Sequence, residues 1–280
     1  MREFEIIDFK LGSFFLVSTS TSNMIFSTAL LSAAALLFTE VSSHGAVTSY
    51  VIGGVTYPGY LLHFLFSTFR LVLGANLTSS SYQGYSPQWG PPTIQRQWPS
   101  YDPITSVSSP SIRCNGGTSA PLNATITAGQ PITAIWSQWT HAQGPVMVWL
   151  FKCASTFASC DGSGVGWFKI DQKGLTAPPL SSTNWGTNDV MTTLKWTSTI
   201  PAKLANGNYL VRHELLALHQ TNSPQFYPEC AQIVVVGGGG QSPSGSFLTA
   251  IPSYASASDP SVLVSLYVLV DENYDLRCFH

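Results

Sequence analysis

The residues best suited to chemistry in this sequence begin with His44, which a secretory leader would leave as the first residue of the mature chain. Met24 to Phe38 is an apolar run, and the polar stretch after it closes on Val41-Ser42-Ser43, with small side chains where signal peptidase reads them. Cleavage after Ser43 frees the α-amine of His44. Such an amine has an ordinary pKa of about 8 and gives up its proton to a metal at neutral pH. One N-terminal histidine then offers an amine and an imidazole nitrogen to a single ion. Three stretches downstream hold further donors: Trp139-Thr140-His141-Ala142-Gln143-Gly144-Pro145-Val146, Arg212-His213-Glu214-Leu215-Leu216-Ala217-Leu218-His219 and Gln225-Phe226-Tyr227-Pro228-Glu229-Cys230. Taken singly they are ordinary. A strand-end histidine such as His141 is more often a hydrogen-bonded loop residue than a ligand, His213 reads as surface or sheet packing, and Tyr227 reads as buried aromatic core.

The elements that must position these residues read as short strands. The 280 residues are 44% hydrophobic and only 9% charged, with 23 Gly and 18 Pro, a composition that suits a secreted all-β domain with long surface loops. Candidate strands are Ala46–Ile52, Asn123–Ile126, Ile132–Gln138, Val146–Phe151, Trp167–Ile170, Met191–Thr197, Gly207–Leu218 and Ala231–Val236, most of them bounded by Gly, Pro, Asn or Ser. Their regular spacing predicts an antiparallel β-sandwich of immunoglobulin or fibronectin III type. The stretch from Tyr82 to Pro110, rich in Pro, Trp and Tyr, is expected to be a surface loop rather than core. The net charge of −2 gives no basic footprint for nucleic acid, and no apolar run beyond the leader reads as a membrane span. Asn123-Ala124-Thr125 is a glycosylation sequon, in keeping with a eukaryotic secretory route.

Three segments stand apart. Met1 to Asn23 carries acids and bases ahead of the leader, and Met24 is the better initiator, so residues 1–23 read as a spurious extension and 24–43 as the signal peptide. Val55 to Ser80 is an apolar island without clean periodicity, flanked by the near-copies Tyr57-Pro58-Gly59-Tyr60 and Tyr82-Gln83-Gly84-Tyr85. It reads as an intron translated in frame, its removal joining Gly54 to about Ser81, with the sequon at Asn76 inside it; the alternative is a genuine hydrophobic insertion. The last residues, 267–280, change character and contain Cys278. A single domain over 44–266 remains.

With these residues in view, the chain strongly resembles the lytic polysaccharide monooxygenases of auxiliary activity family 9, copper enzymes that cleave cellulose oxidatively. The resemblance implies one copper per chain, held by His44 through its amine and Nδ1 and by His141 through Nε2, with Tyr227 axial. It implies that His219 and Gln225 hydrogen-bond oxygen species beside the metal. Three nitrogens in one plane suit the tetragonal preference of Cu(II). It further implies a disulfide between Cys114 and Cys230, while Cys153 and Cys160 flank a short loop and can pair locally. O2 or hydrogen peroxide would be the co-substrate, and a small-molecule reductant or cellobiose dehydrogenase the external electron donor. The expected protein is secreted and monomeric and acts on cellulose or a related β-1,4-glucan at C1 or C4. Tyr82, Trp89, Trp98 and Tyr101 are the candidate aromatics of a flat substrate face. Two rivals remain: a hydrolytic glycosidase, which needs paired carboxylates across a cleft, and a non-catalytic copper- or carbohydrate-binding β-sandwich.

Overall fold

The computed structural model describes residues 45–59, 92–99 and 101–266. The leader, the segment before it, His44, Tyr82, Trp89, Asn76, Cys278 and the tail all lie outside those residues. So does the stretch read as an intron, apart from 55–59.

Four strands form one antiparallel sheet: β1 (Val47–Ile52), β2 (Val55–Pro58), β4 (Pro131–Trp136) and β7 (Lys195–Thr199), in the order β2-β1-β4-β7. Six form the other, in the order β10-β6-β5-β8-β9-β3. These are β3 (Ala124–Thr127), β5 (Val146–Lys152), β6 (Val165–Lys173), β8 (Gly207–Ala217), β9 (Gln225–Val236) and β10 (Thr249–Ala250). All neighbours are antiparallel except β3 and β9, which run parallel. The architecture is the expected β-sandwich.

The side-chain pattern explains the layers. In β4, Ile132, Ala134 and Trp136 alternate inward and the residues between them do not. In β1, Val47 and Tyr50 both point inward because an irregularity between Val47 and Ser49 shifts the phase. Opposite them, Tyr209, Val211 and Leu215 of β8 and Tyr227, Ala231 and Ile233 of β9 complete the core between the sheets. Strands β8 and β9 are buried almost without break. Their outer face is covered as well, by Ile251, Tyr254, Val262, Val264 and Leu266 of the C-terminal segment. Beneath that cover Arg212 and Glu214 form a fully buried ion pair, and Tyr254 donates its hydroxyl to Glu214. A buried pair of this kind is costly to break by removing one partner.

Two expectations about elements need correction. The segment Met191–Thr197 is not one strand: α1 (Gly186–Thr193) ends at Leu194, which takes a left-handed conformation, and β7 starts only at Lys195. Residues 93–98 of the Tyr82–Pro110 stretch are mostly buried rather than a surface loop, while 105, 106, 108 and 110 are exposed as expected. Gln232 donates its backbone N–H to Ile94 O, Arg96 N–H goes to Cys230 O, and Ile104 and Phe226 exchange both backbone hydrogen bonds. Residues 94–96 and 104 thus occupy the edge of β9 that β3 leaves open, because unpaired strand groups demand partners. The first residues of the apolar island are ordered into this framework. Val55–Pro58 pairs with β1 from Ile52↔Val55 to Ser49↔Pro58, and the Gly59 N–H donates to Thr48 O.

Both disulfides form as expected. Cys114–Cys230 ties the turn after Pro110–Arg113 to β9, and Cys153–Cys160 closes the loop that follows β5.

Candidate metal centre

One end of the sandwich gathers His141, His219, Gln225 and Tyr227. His141 lies on the loop from β4 to β5, and that loop is fastened at several points. Thr187, in the first turn of α1, donates its hydroxyl to Ala142 O and Gly144 O, and its N–H also reaches Gly144 O. Leu218 N–H donates to Gln143 O at 3.0 Å. Gly144 has φ +141°, and a Cβ there would stand 1.7 Å from Leu216 O, so only glycine lets the loop approach β8 this closely. The His141 carbonyl itself accepts from Trp139 Nε1 at 2.6 Å.

His219 follows the last residues of β8, and Gln225 and Tyr227 open β9. The β8–β9 register pairs Ala217 with Gln225 and Leu215 with Tyr227. One hairpin therefore carries three of the four side chains, and its turn is held from outside by Asn222 N–H to Val264 O at 3.0 Å. The imidazoles of His141 and His219 stack with centroids 3.9 Å apart and planes 2° from parallel. Tyr227 lies 6.4 Å from His141 by centroids and donates its hydroxyl to Gln225 Oε1 at 2.9 Å. Burial first, then the Asp102 carboxylate, push the Tyr227 phenol above its usual range, so it stays protonated as that donor.

Trp139 is the residue that sequence reasoning passed over. Its ring meets His141 edge-on at 5.3 Å and Tyr227 edge-on at 4.9 Å, so it packs against both of them. The signal was present in Trp139-Thr140-His141, but a tryptophan two residues from a candidate histidine has no chemical mark of its own.

The arm leading in from residue 44 is equally constrained. A Cβ on Gly45 would stand 1.6 Å from Gln138 O, and Ser137 N–H donates to Ala46 O at 3.1 Å. The arm therefore runs against the segment that continues into Trp139 and His141.

Among the described residues no three His, Cys, Asp or Glu side chains converge as a metal site. The set present among the described residues is two imidazoles and a phenol, and the expected cut after Ser43 would make the amine and imidazole of His44 available as further nitrogen donors. A nitrogen-rich donor set of this kind fits copper better than the hard, oxygen-seeking ions.

The candidate substrate aromatics fare differently. Trp98 and Tyr101 are 2% and 8% exposed and pack edge to face at 4.7 Å, in a small cluster with Ala46. This corrects their assignment to a flat exposed face. The segment carrying them is bonded to β9 on both sides, at Arg96 and Ile104, which turns both rings inward. His213 is sheet packing: it is 1% exposed between Tyr50 and Trp136, and burial lowers its pKa to about 3. Glu214 and Glu229 are buried inside the sheets, leaving neither for a hydrolytic pair across a cleft.

Comparison with known proteins follows the same lines. The family model "Auxiliary Activity family 9 (formerly GH61)" matches residues 44–274. The chain is 48% identical over 236 residues to AA9 family lytic polysaccharide monooxygenase D of Thermothelomyces thermophilus, covering 81% of this chain and 84% of that protein. It is 41% identical over 243 residues to AA9 family lytic polysaccharide monooxygenase B of Heterobasidion irregulare, covering 85% and 91%. Among solved structures it is similar to a cellulose-active polysaccharide monooxygenase from M. thermophila. That match has a TM-score of 0.69 and 46% identity, covering 80% of this chain and 92% of that one.

Proposed function

Because the chain belongs to Auxiliary Activity family 9, we propose that its substrate is a β-1,4-glucan, cellulose above all, cleaved by oxidation at C1, C4 or both. Membership makes it a copper-dependent oxidoreductase that acts on polysaccharide. Cellulose as the substrate is supported by the cellulose-active relative of known structure. The observation that carries the site is the convergence of His141, His219, Gln225 and Tyr227 at the end where the Gly45–Val47 arm enters.

In this reading His44 and His141 would hold the copper, with Tyr227 beside them. When bound, copper supplies one-electron chemistry, fed by an external donor and drawing on O2 or hydrogen peroxide to oxidise a sugar C–H bond. The chain's own contributions are positional. Trp139 and Thr187 fix the backbone of the loop that carries His141, which limits where its imidazole can stand. Tyr227 keeps its proton and orients Gln225 through the hydroxyl. His219, stacked on His141, would offer a ring nitrogen to the oxygen co-substrate and could hold or pass a proton there. Hydroxylation at C1 or C4 leaves a hydroxyl on the carbon that bears the glycosidic oxygen, and collapse of that centre breaks the chain.

The protein is further proposed to be secreted and monomeric, to carry a glycan at the exposed Asn123, and to take electrons from a small reductant or cellobiose dehydrogenase. Incubation with swollen cellulose, a reductant and peroxide, followed by product mass spectrometry, tests the activity. Oxidised cello-oligosaccharides are expected. Unmodified oligosaccharides would instead mean hydrolysis, and no products would mean a binding protein.

A further inference from the structure

Glu229 is a buried acid for which the proposed chemistry has no use. It lies on β9 two residues beyond Tyr227 and is 3% exposed. A carboxyl in such a place is costly unless hydrogen-bonded, and no ion pair among the described residues compensates it. Two N–H donors do. Glu229 Oε2 accepts from Val47 N at 2.7 Å and from Gln95 Nε2 at 2.9 Å. The same Gln95 nitrogen also donates to Val47 O at 2.9 Å. Both backbone polar groups of Val47 are therefore gripped by two side chains from distant parts of the sequence.

Val47 is the first residue of β1, and only Gly45 and Ala46 separate it from His44. Three residues of extended chain span about 10 Å at most. Whatever fixes Val47 therefore fixes the backbone from which His44 emerges, while Ser137 and Gln138 hold the intervening residues from the other side. We propose that Glu229 and Gln95 are positioning residues for the N-terminal copper ligand. They clamp Val47 so that the segments bearing His44, His141 and Tyr227 are joined before metal arrives. This rests on the copper reading above. Neither residue touches the metal, and their effect passes entirely through the backbone of the arm.

The test uses the mature protein beginning at His44. Three readouts apply to each variant: exchange of the Val47 amide without metal, calorimetric titration with copper alone, and the Cu(II) electron paramagnetic resonance spectrum. Glu229→Ala and Gln95→Ala are each expected to speed Val47 exchange, weaken copper about tenfold and alter the spectrum. Glu229→Gln, whose amide oxygen still accepts both hydrogen bonds, is expected to restore the wild-type spectrum. Ile126→Ala, a core change on β3, is expected to lower thermal stability and leave the spectrum unchanged. Faster Val47 exchange with wild-type copper affinity and spectrum in Glu229→Ala or Gln95→Ala would overturn the inference alone. So would failure of Glu229→Gln to rescue. If Glu229→Ala does not fold, Gln95→Ala decides, since it removes only a neutral amide. A wild-type protein that binds no copper would overturn the copper reading and this inference together.

Discussion

The rings of His141 and His219 lie face to face, 3.9 Å apart and 2° from parallel, although one stands on the loop after β4 and the other at the end of β8. Stacking uses the faces of both rings and leaves their nitrogen-bearing edges for other partners. The two histidines therefore belong to one rigid unit, and substitutions in them should be felt together but read out differently.

His141→Ala removes one of the nitrogens proposed to hold the copper. Loss of the Cu(II) spectrum and of oxidised products is expected. The apo protein should melt nearly as before, because the side chain is half-buried on a loop secured by Trp139 and Thr187. A spectrum identical to wild type would show that His141 is not a ligand.

His219→Ala leaves the proposed ligands in place, so copper should stay bound while turnover falls about 10- to 100-fold. Tyr227→Phe deletes the donor to Gln225 Oε1 and should cost about 1 kcal/mol of stability, with copper retained and an altered spectrum. Release of oxidised cello-oligosaccharides, set beside copper titration, separates the two. Copper loss in a folded His219→Ala protein would make His219 a ligand, and full activity would make it merely structural.

Extending the mature N-terminus by one glycine turns the His44 amine into an amide and should weaken copper by orders of magnitude in calorimetry. Intact mass of the secreted protein tests the cut after Ser43 and the inserted segment at once. A mass matching uninterrupted residues 44–280 would remove the intron reading. Because Val55–Pro58 already pairs with β1, a shortened chain is expected to keep an equivalent arm at that position.

His213 should set an acid limb on stability. Burial lowers its pKa from about 6.5 to about 3, so the unfolded chain takes up a proton that the folded protein refuses. Stability from this group is fully present above about pH 6.5 and is lost as pH falls toward about 3. His213 faces Tyr50 of β1 and Trp136 of β4, and its register partner is Glu229, whose own pKa burial raises. Urea unfolding of wild type and His213→Leu across that window should show the variant gaining relative stability as pH drops. Parallel pH profiles would refute the assignment.

The sandwich was legible from strand alternation and the Cys153–Cys160 pair from its short spacing, both local signals, whereas the Cys114–Cys230 pair and the grouping of His141, His219, Gln225 and Tyr227 were legible only through the family resemblance. What failed was tertiary. Gly186–Thr193 contains Thr, Asn and Val, weak helix formers, and is helical while Thr187 secures it to the His141 loop. Trp98 and Tyr101 have the composition of an exposed aromatic face, and only the bonding of their segment to β9 turns them inward. Glu229 showed nothing beyond being one of few acids, since its partners Val47 and Gln95 are remote in the chain.

Both disulfides are withdrawn from water, with Cys114, Cys230, Cys153 and Cys160 exposed by 4%, 0%, 6% and 7%. A thiolate breaks such a bond only by reaching one of its sulfurs. A protein proposed to draw its electrons from surrounding reductants thus keeps its own reducible bonds beyond their reach. Cys114–Cys230, the crosslink that holds Tyr227's strand in place, is therefore expected to outlast the reducing milieu proposed to drive turnover.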